Sequence, residues 1–227
     1  MVIAIYHFST KIIGRSAGRS VVAAAAWQSS SLLYDERIGQ WSRFTGKRLV
    51  EFSTVMLPKD APEEYLDRGW LWNAIEVIEK RADAQLARQY DVALPDELLT
   101  AERIGAMKRF ASVITGSGYP VDVTLIKAAT DESRTRHHGY MMMAMRPWEN
   151  GRFQNKGREW NTRKKLVEMR TLWADILNQM LEEGGHAERV DHRSNKARGI
   201  VAEPSDHVGV IATQMARRGE EPDRLRR

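Results

Sequence analysis

A chain of 227 residues can bury one sizeable core, and a 42% apolar share is ordinary for a globular protein. The absence of cysteine excludes disulfides and thiolate metal sites and fits a cytoplasmic protein, and no run is long and apolar enough to cross a bilayer, so no membrane partner is expected. The net charge of +5 is segregated: residues 1–50 and 146–165 each carry seven basic residues against two acidic ones, which suits a phosphate backbone.

The start, Met1-Val2-Ile3-Ala4-Ile5-Tyr6, has no basic lead and stops at His7, so residues 2–8 read as a strand and not as a signal peptide. A basic loop follows from Gly14 to Gly18. The alanine-rich run from Ser20 to Leu33 reads as a helix, with Ser20 as its N-cap. Residues 35–48 form a polar hairpin or loop, and residues 51–57 a short strand stopped by Pro58. Asp60-Ala61-Pro62 opens the next helix, along which Leu71, Ala74, Ile75 and Ile78 recur at helical spacing.

Gln89 to Leu94 alternates and ends at Pro95, as a strand does. Glu97 to Val113 is an amphipathic helix punctuated by Gly116 and Gly118. Val121 to Lys127 and His138 to Met145 pair as a hairpin. The clearest helical stripe is Leu166, Met169, Trp173, Ile176, Leu177 and Met180, ended by Gly184-Gly185. His186 to Pro204 is irregular, Asp206 to Met215 is a last short helix, and 217–227 is a charged tail after a domain over 1–216. Hairpin-like strand pairs predict an α+β fold: a mostly antiparallel sheet with helices packed on one face.

Several of these segments, in this order, resemble the MobA/MobL plasmid mobilisation relaxases. They include Ala4-Ile5-Tyr6-His7-Phe8-Ser9, Gly18-Arg19-Ser20 with its alanine run, Tyr34-Asp35-Glu36-Arg37, Asp83-Ala84-Gln85-Leu86-Ala87-Arg88 and Arg189-Val190-Asp191-His192-Arg193-Ser194. The resemblance implies a relaxase-like palm of the His-hydrophobe-His endonuclease kind, at work in plasmid conjugation and mobilisation. In active members of that family a tyrosine attacks a phosphodiester of single-stranded DNA and forms a covalent 5′ tyrosyl-DNA. A divalent metal held by three histidines polarises the phosphoryl oxygen.

Two positions depart from that pattern. Trp27, in Ala25-Ala26-Trp27-Gln28-Ser29, stands where the resemblance implies the nucleophilic tyrosine. Tyr140, in His138-Gly139-Tyr140, stands where it implies a second metal histidine across a small residue. An indole has no nucleophilic oxygen. A phenol titrating near pH 10 is a poor neutral ligand. The first metal histidine should lie on the Val121–Lys127 strand, which offers Ile126 or Lys127 instead. His138 remains, while His137 beside it points to the other face of the strand.

The resemblance implies an acidic residue near the site at Asp91, which with His138 would support only a weak ion, so no tightly bound cofactor is expected and magnesium or manganese would bind weakly. Tyr34, seven residues after Trp27, would share its helix face and offers itself as a substitute nucleophile, but the resembled family itself often has tyrosine there, so an ordinary structural role is the preferred reading, and Tyr6 in its strand is a similar case. The expected partner is single-stranded or hairpin DNA, gripped by Arg15, Arg19, Lys164 and Lys165, with relaxosome or type IV secretion proteins as further partners. Three readings follow: a degenerate relaxase homologue that binds DNA, an active nickase with an atypical tyrosine and metal site, or a protein–protein module of a conjugation or secretion assembly.

Overall fold

In chain order the elements are β1 (Phe8–Gly14), α1 (Val21–Ser29), β2 (Leu32–Asp35), β3 (Gln40–Arg43), β4 (Leu49–Met56), α2 (Arg68–Ile78), β5 (Gln85–Leu94), α3 (Thr100–Gly116), β6 (Val121–Ala129), β7 (Thr135–Ala144), β8 (Trp148–Glu149), β9 (Arg152–Phe153) and α4 (Arg163–Glu183). The computed structural model describes residues 4, 6–46, 49–129 and 135–193. Met1–His192 form one compact unit. The expected boundary between 1–216 and 217–227, and the short helix over Asp206 to Met215, lie outside the described residues.

Side-chain caps set the helix starts. Ser20 Oγ accepts from the Ala23 amide at 3.1 Å, Asp67 Oδ1 from Trp70 at 3.0 Å and Thr162 Oγ1 from Lys165 at 3.2 Å, each meeting one orphan amide of a first turn. α1 stops sooner than Leu33. Ser29 Oγ donates to the Ala25 carbonyl at 2.7 Å, Ser30 takes a left-handed φ of 52°, and Ser31 N closes on Ala26 O at 2.9 Å. Leu32 and Leu33 therefore fall in β2, which pairs with β3 as the expected polar hairpin. Of the opening strand expected over residues 2–8, residues 2, 3 and 5 lie outside the described residues, and β1 runs from Phe8 to Gly14.

Five strands form one antiparallel sheet in the order β1-β5-β7-β6-β4. Residues directly opposite in antiparallel strands share a face, so the register sorts every side chain. One face carries Tyr90, Val92, Val121, Val123, Leu125, Met141 and Met143 against Phe110 and Ile114 of α3 and Trp173 and Leu177 of α4. Phe8, Tyr90, Phe110 and Trp173 meet there with ring centroids 5.5–5.9 Å apart.

The other face carries Ile13, Ala87, Met142 and Ala144 against Val21, Val22 and Ala25 of α1 and Leu71, Trp72 and Ile75 of α2. Helices thus cover both faces, not one. The cause is visible in β7, where Met141-Met142-Met143-Ala144 is apolar without alternation and buried throughout, as a strand covered on both sides must be.

Candidate functional site

The α1/α2 face turns polar toward one end. α1 lays Trp27, half-buried, against Tyr140 of β7. The two rings meet edge to face, 5.4 Å between centroids and 72° between planes. The Lys11 ammonium on β1 lies 5.6 Å from the centre of the Trp27 ring, within cation–π range. The next helix residue, Gln28, is fully buried; its Nε2 donates to the Asp122 carbonyl at 3.0 Å and its Oε1 accepts from Gln89 Nε2 at 2.9 Å. Asp122 in turn accepts from Arg68 Nε at 2.7 Å and Trp72 Nε1 at 2.9 Å. This buried chain of hydrogen bonds fixes α1 on the sheet, and with it the indole.

His138 and Asp91 lie beside Tyr140. His138 Nδ1 is 3.4 Å from Asp91 Oδ1. Across the strands, His138 sits opposite Ala93 and Ile126, and Tyr140 opposite Asp91 and Thr124. The residue of β6 that faces His138 is therefore Ile126, which is buried, while Lys127 faces His137. His137 points into the α3 face. There its Nε2 is 3.1 Å from Arg103 NH1 and 3.3 Å from Glu51 Oε2. Burial first, and the Arg103 charge second, hold its pKa below the usual imidazole range.

Among the described residues no three His, Cys, Asp or Glu side chains are grouped to hold a metal. The pair His138 and Asp91, walled by the hydrocarbon of Ile126, does not fit a three-histidine centre.

The four basic residues expected to grip DNA are not one patch. Arg15 is turned inward: NH2 is 2.7 Å from Glu76 Oε2 and from the Glu76 carbonyl, and NH1 donates to the Glu79 carbonyl. Glu76 has no exposed side-chain surface and also accepts from Val21 N at 3.0 Å and Arg37 Nε at 3.0 Å. Arg15 is thus a structural cation and has no hand to offer a phosphate. Lys164 and Lys165 open α4, the helix that packs with α3 over the other face of the sheet. Lys165 Nζ lies 4.7 Å over the Trp160 ring and 3.3 Å from Glu168.

Only Arg19 of the four stands in the cleft beside Trp27. That cleft offers about 340 Å³ and is lined by Lys11, Ile13, Arg19, Trp27, Phe44 and Gln89 among others. Lys11, Phe44 and Gln89 were not singled out by the sequence. Their signal was faint: Lys11 and Gln89 alternate toward this face of adjacent strands, paired in register.

The substitute tyrosines are elsewhere. Tyr34 lies in β2, not on the Trp27 helix face, and packs on its cross-strand partner Trp41 at 5.1 Å. Tyr6 donates its hydroxyl to the Arg170 carbonyl at 2.8 Å, and burial raises its pKa well above that of a free phenol.

An all-antiparallel five-stranded sheet sandwiched by helix pairs, with its polar corner formed where the alanine-rich helix meets the His-Gly-Tyr strand, is a fold also seen in solved structures. The chain belongs to the MobA/MobL family, whose model matches residues 19–218. It is 33% identical over 254 residues to the mobilization protein MobL of Acidithiobacillus ferridurans, covering 98% of this chain and 66% of that protein. It is 32% identical to the conjugal transfer protein TraA of Rhizobium radiobacter, of which it spans only 22%.

Among solved structures, a chain from work on the molecular basis of vancomycin resistance transfer in Staphylococcus aureus matches with a TM-score of 0.77 and 28% identity, over 84% of this chain and all of that one. The conjugative relaxase TrwC, solved metal-bound and in complex with oriT DNA, shares the fold at a TM-score of 0.56 and 12% identity, over 96% of this chain and 86% of that one.

Proposed function

We propose that this chain is a relaxase homologue that keeps a groove for single-stranded or hairpin DNA and has lost the nicking reaction. The observation that carries the reading is the direct contact of Trp27 with Tyr140. Two aromatic side chains pack together where the family resemblance implies a nucleophile facing a metal ligand. The indole supplies no attacking oxygen. Neither Tyr6, tied to a backbone carbonyl, nor Tyr34, on the outer hairpin, replaces it. His138 and Asp91 offer two donors, and Ile126 closes the third side with methyl groups. The DNA part of the reading is supported by family membership, by the DNA-bound state of the TrwC relative and by the exposed cations Lys11 and Arg19 at the cleft.

The test has two arms. Binding of a labelled single-stranded oligonucleotide is measured at two or more salt concentrations, and the same strand is incubated with manganese and scored for a covalent protein–DNA band. Binding that weakens with salt, with a log–log slope near −0.7 per phosphate contact, and no covalent band are expected. A band from the unaltered protein sinks the degenerate reading; absence of binding at low salt favours a protein–protein module.

Repair sharpens the test. Trp27→Tyr alone restores a phenol but no metal site, and members of one catalytic unit are strongly non-additive. Cleavage is expected only when it is combined with Tyr140→His and Ile126→His, the position that faces His138. A band from the single change would refute this account of the metal site.

A further inference from the structure

Resting on the DNA-binding reading, we infer that the cleft beside Trp27 is a pocket for one unpaired nucleotide, with the indole as the stacking floor for its base and Lys11 and Arg19 taking its flanking phosphates. The cleft is open to solvent and offers about 340 Å³, at the lower end of the range that holds small organic ligands, ~300–1,000 Å³. That volume matches a single nucleotide seated in the cleft.

The floor is rigid. Trp27 is braced edge-on by Tyr140, and its helix is pinned through Gln28 to Gln89 and Asp122. A fixed aromatic face loses little freedom when a base stacks on it. Phe44 gives the same cleft a second aromatic wall, its backbone N–H donating to the Ser31 carbonyl at 3.0 Å.

Lys11 explains why the occupant is anionic as well as flat. Its ammonium stands 5.6 Å above the indole, where the ring quadrupole draws a cation. A base sliding onto that face displaces the ammonium by a few ångströms, toward the phosphate the base brings with it. The helix N-terminus at this cleft does not do this work. Its first amides are spent, Val21 N on Glu76 Oε1 and Ala23 N on Ser20 Oγ, and Ser20 Oγ itself donates to Asp35. Phosphate binding here falls to Lys11 and Arg19. Stacking with two point charges is tolerant of base identity, so the pocket positions one unpaired nucleotide of any sequence.

The experiment compares two probes of equal charge: a fluorescein-labelled short thymidylate oligomer and the same backbone made of abasic tetrahydrofuran residues. Anisotropy titrations with the whole chain at low salt are expected to show the base-bearing strand binding about 5- to 100-fold tighter. In Trp27→Ala that advantage shrinks by most of its value, and Trp27→Phe, which keeps a ring and the fold, retains part of it. Lys11→Gln and Arg19→Gln each lower the salt slope by about 0.7 while the base-bearing strand keeps its advantage. An unchanged advantage in Trp27→Ala overturns the pocket while leaving DNA binding intact, because the bases then stack elsewhere. No binding of either probe by the unaltered protein overturns the DNA-binding reading and the pocket together.

Discussion

The two faces of the sheet are made from the same strands and do opposite things. The α3/α4 face is apolar through its centre, where four aromatic rings pack together, three of the contacts edge to face and one tilted, and turns polar at His137, Arg103 and Glu51. The α1/α2 face begins apolar at Met142 and Ala144, then places Gln89, Asp91, Tyr140 and His138 side by side toward the Trp27 end. Alternation along β5 and β7 lets one strand serve both. What the difference teaches is that stability and function are separable here, one residue apart: Met141 packs, Tyr140 faces the site.

The largest expected break in that separation is Phe110→Ala. Phe110 is fully buried between Phe8, Tyr90 and Trp173, and its removal is expected to cost about 3–5 kcal/mol in denaturant unfolding. DNA affinity of the fraction that stays folded is expected to be unchanged. Arg15→Ala comes next. It strips a guanidinium from the buried Glu76 carboxylate, which should lower stability by about 3 kcal/mol, with Arg37 still facing Glu76. Its mark is on unfolding and not on the salt dependence of DNA binding, whereas Arg19→Ala, at the exposed cleft, should do the reverse. A salt slope altered by Arg15→Ala in folded protein would put Arg15 back among the DNA contacts.

Gly139→Ala probes the strand where the faces divide. A methyl group there would come within 2.9 Å of Met107 Cε and of Val92 Cγ2. The Met107 thioether can yield, but the branched Val92 cannot, so about 1–3 kcal/mol of overpacking is expected in thermal or urea unfolding. This close approach accounts for a small residue between positions 138 and 140 without invoking the site.

The smallest effect is a titration. His137 has its folded pKa lowered, chiefly by burial, then by Arg103 and to a lesser degree Lys127, against the opposing pull of Glu51 and Asp96. The unfolded chain therefore binds the proton more readily. Stability is complete above the unfolded imidazole pKa, ~6.5, and falls as pH drops below it, until the folded group also protonates. The slope from this one group is at most about 1.4 kcal/mol per pH unit. His137→Gln should flatten it in unfolding curves taken across that window, and an unchanged slope would assign the dependence to other groups.

Much of the frame was readable from local signals. The Ser20 cap, the stripe from Leu166 to Met180 and the hairpin of β6 with β7 are written in spacing and in side-chain chemistry that acts within a turn or two. The face-to-face division of His137 from His138 also follows from strand geometry alone. What could not be read is what depends on partners distant in sequence. Glu76 captures Arg15 from 61 residues away, and nothing near Arg15 announces it. The end of α1 differs from the sequence reading because Leu32 and Leu33 prolong an apolar run, while the serines at 29–31 that stop it act through a side-chain hydroxyl and through backbone bonds. Helices on both faces were overlooked although the unbroken methionine run of β7 carried that message.

The strand order has a consequence for the newborn chain. The two edges of the sheet, β1 and β4, come from residues 8–14 and 49–56, but the strands they must pair with, β5 and β6, end at 94 and 129, and the central β7 only at 144. At a synthesis rate of ~5–20 residues per second, the apolar side of β4 waits about 4–18 s before the middle of the sheet exists, and those of α1 and β1 wait longer, up to about 26 s. During that interval Val21, Val22 and Val55, destined for burial, have no core to enter. Here the earlier-made edges of the sheet are the last of its parts to be sheltered, and their exposure to chaperones and to misassembly on the ribosome is set by topology more than by final stability.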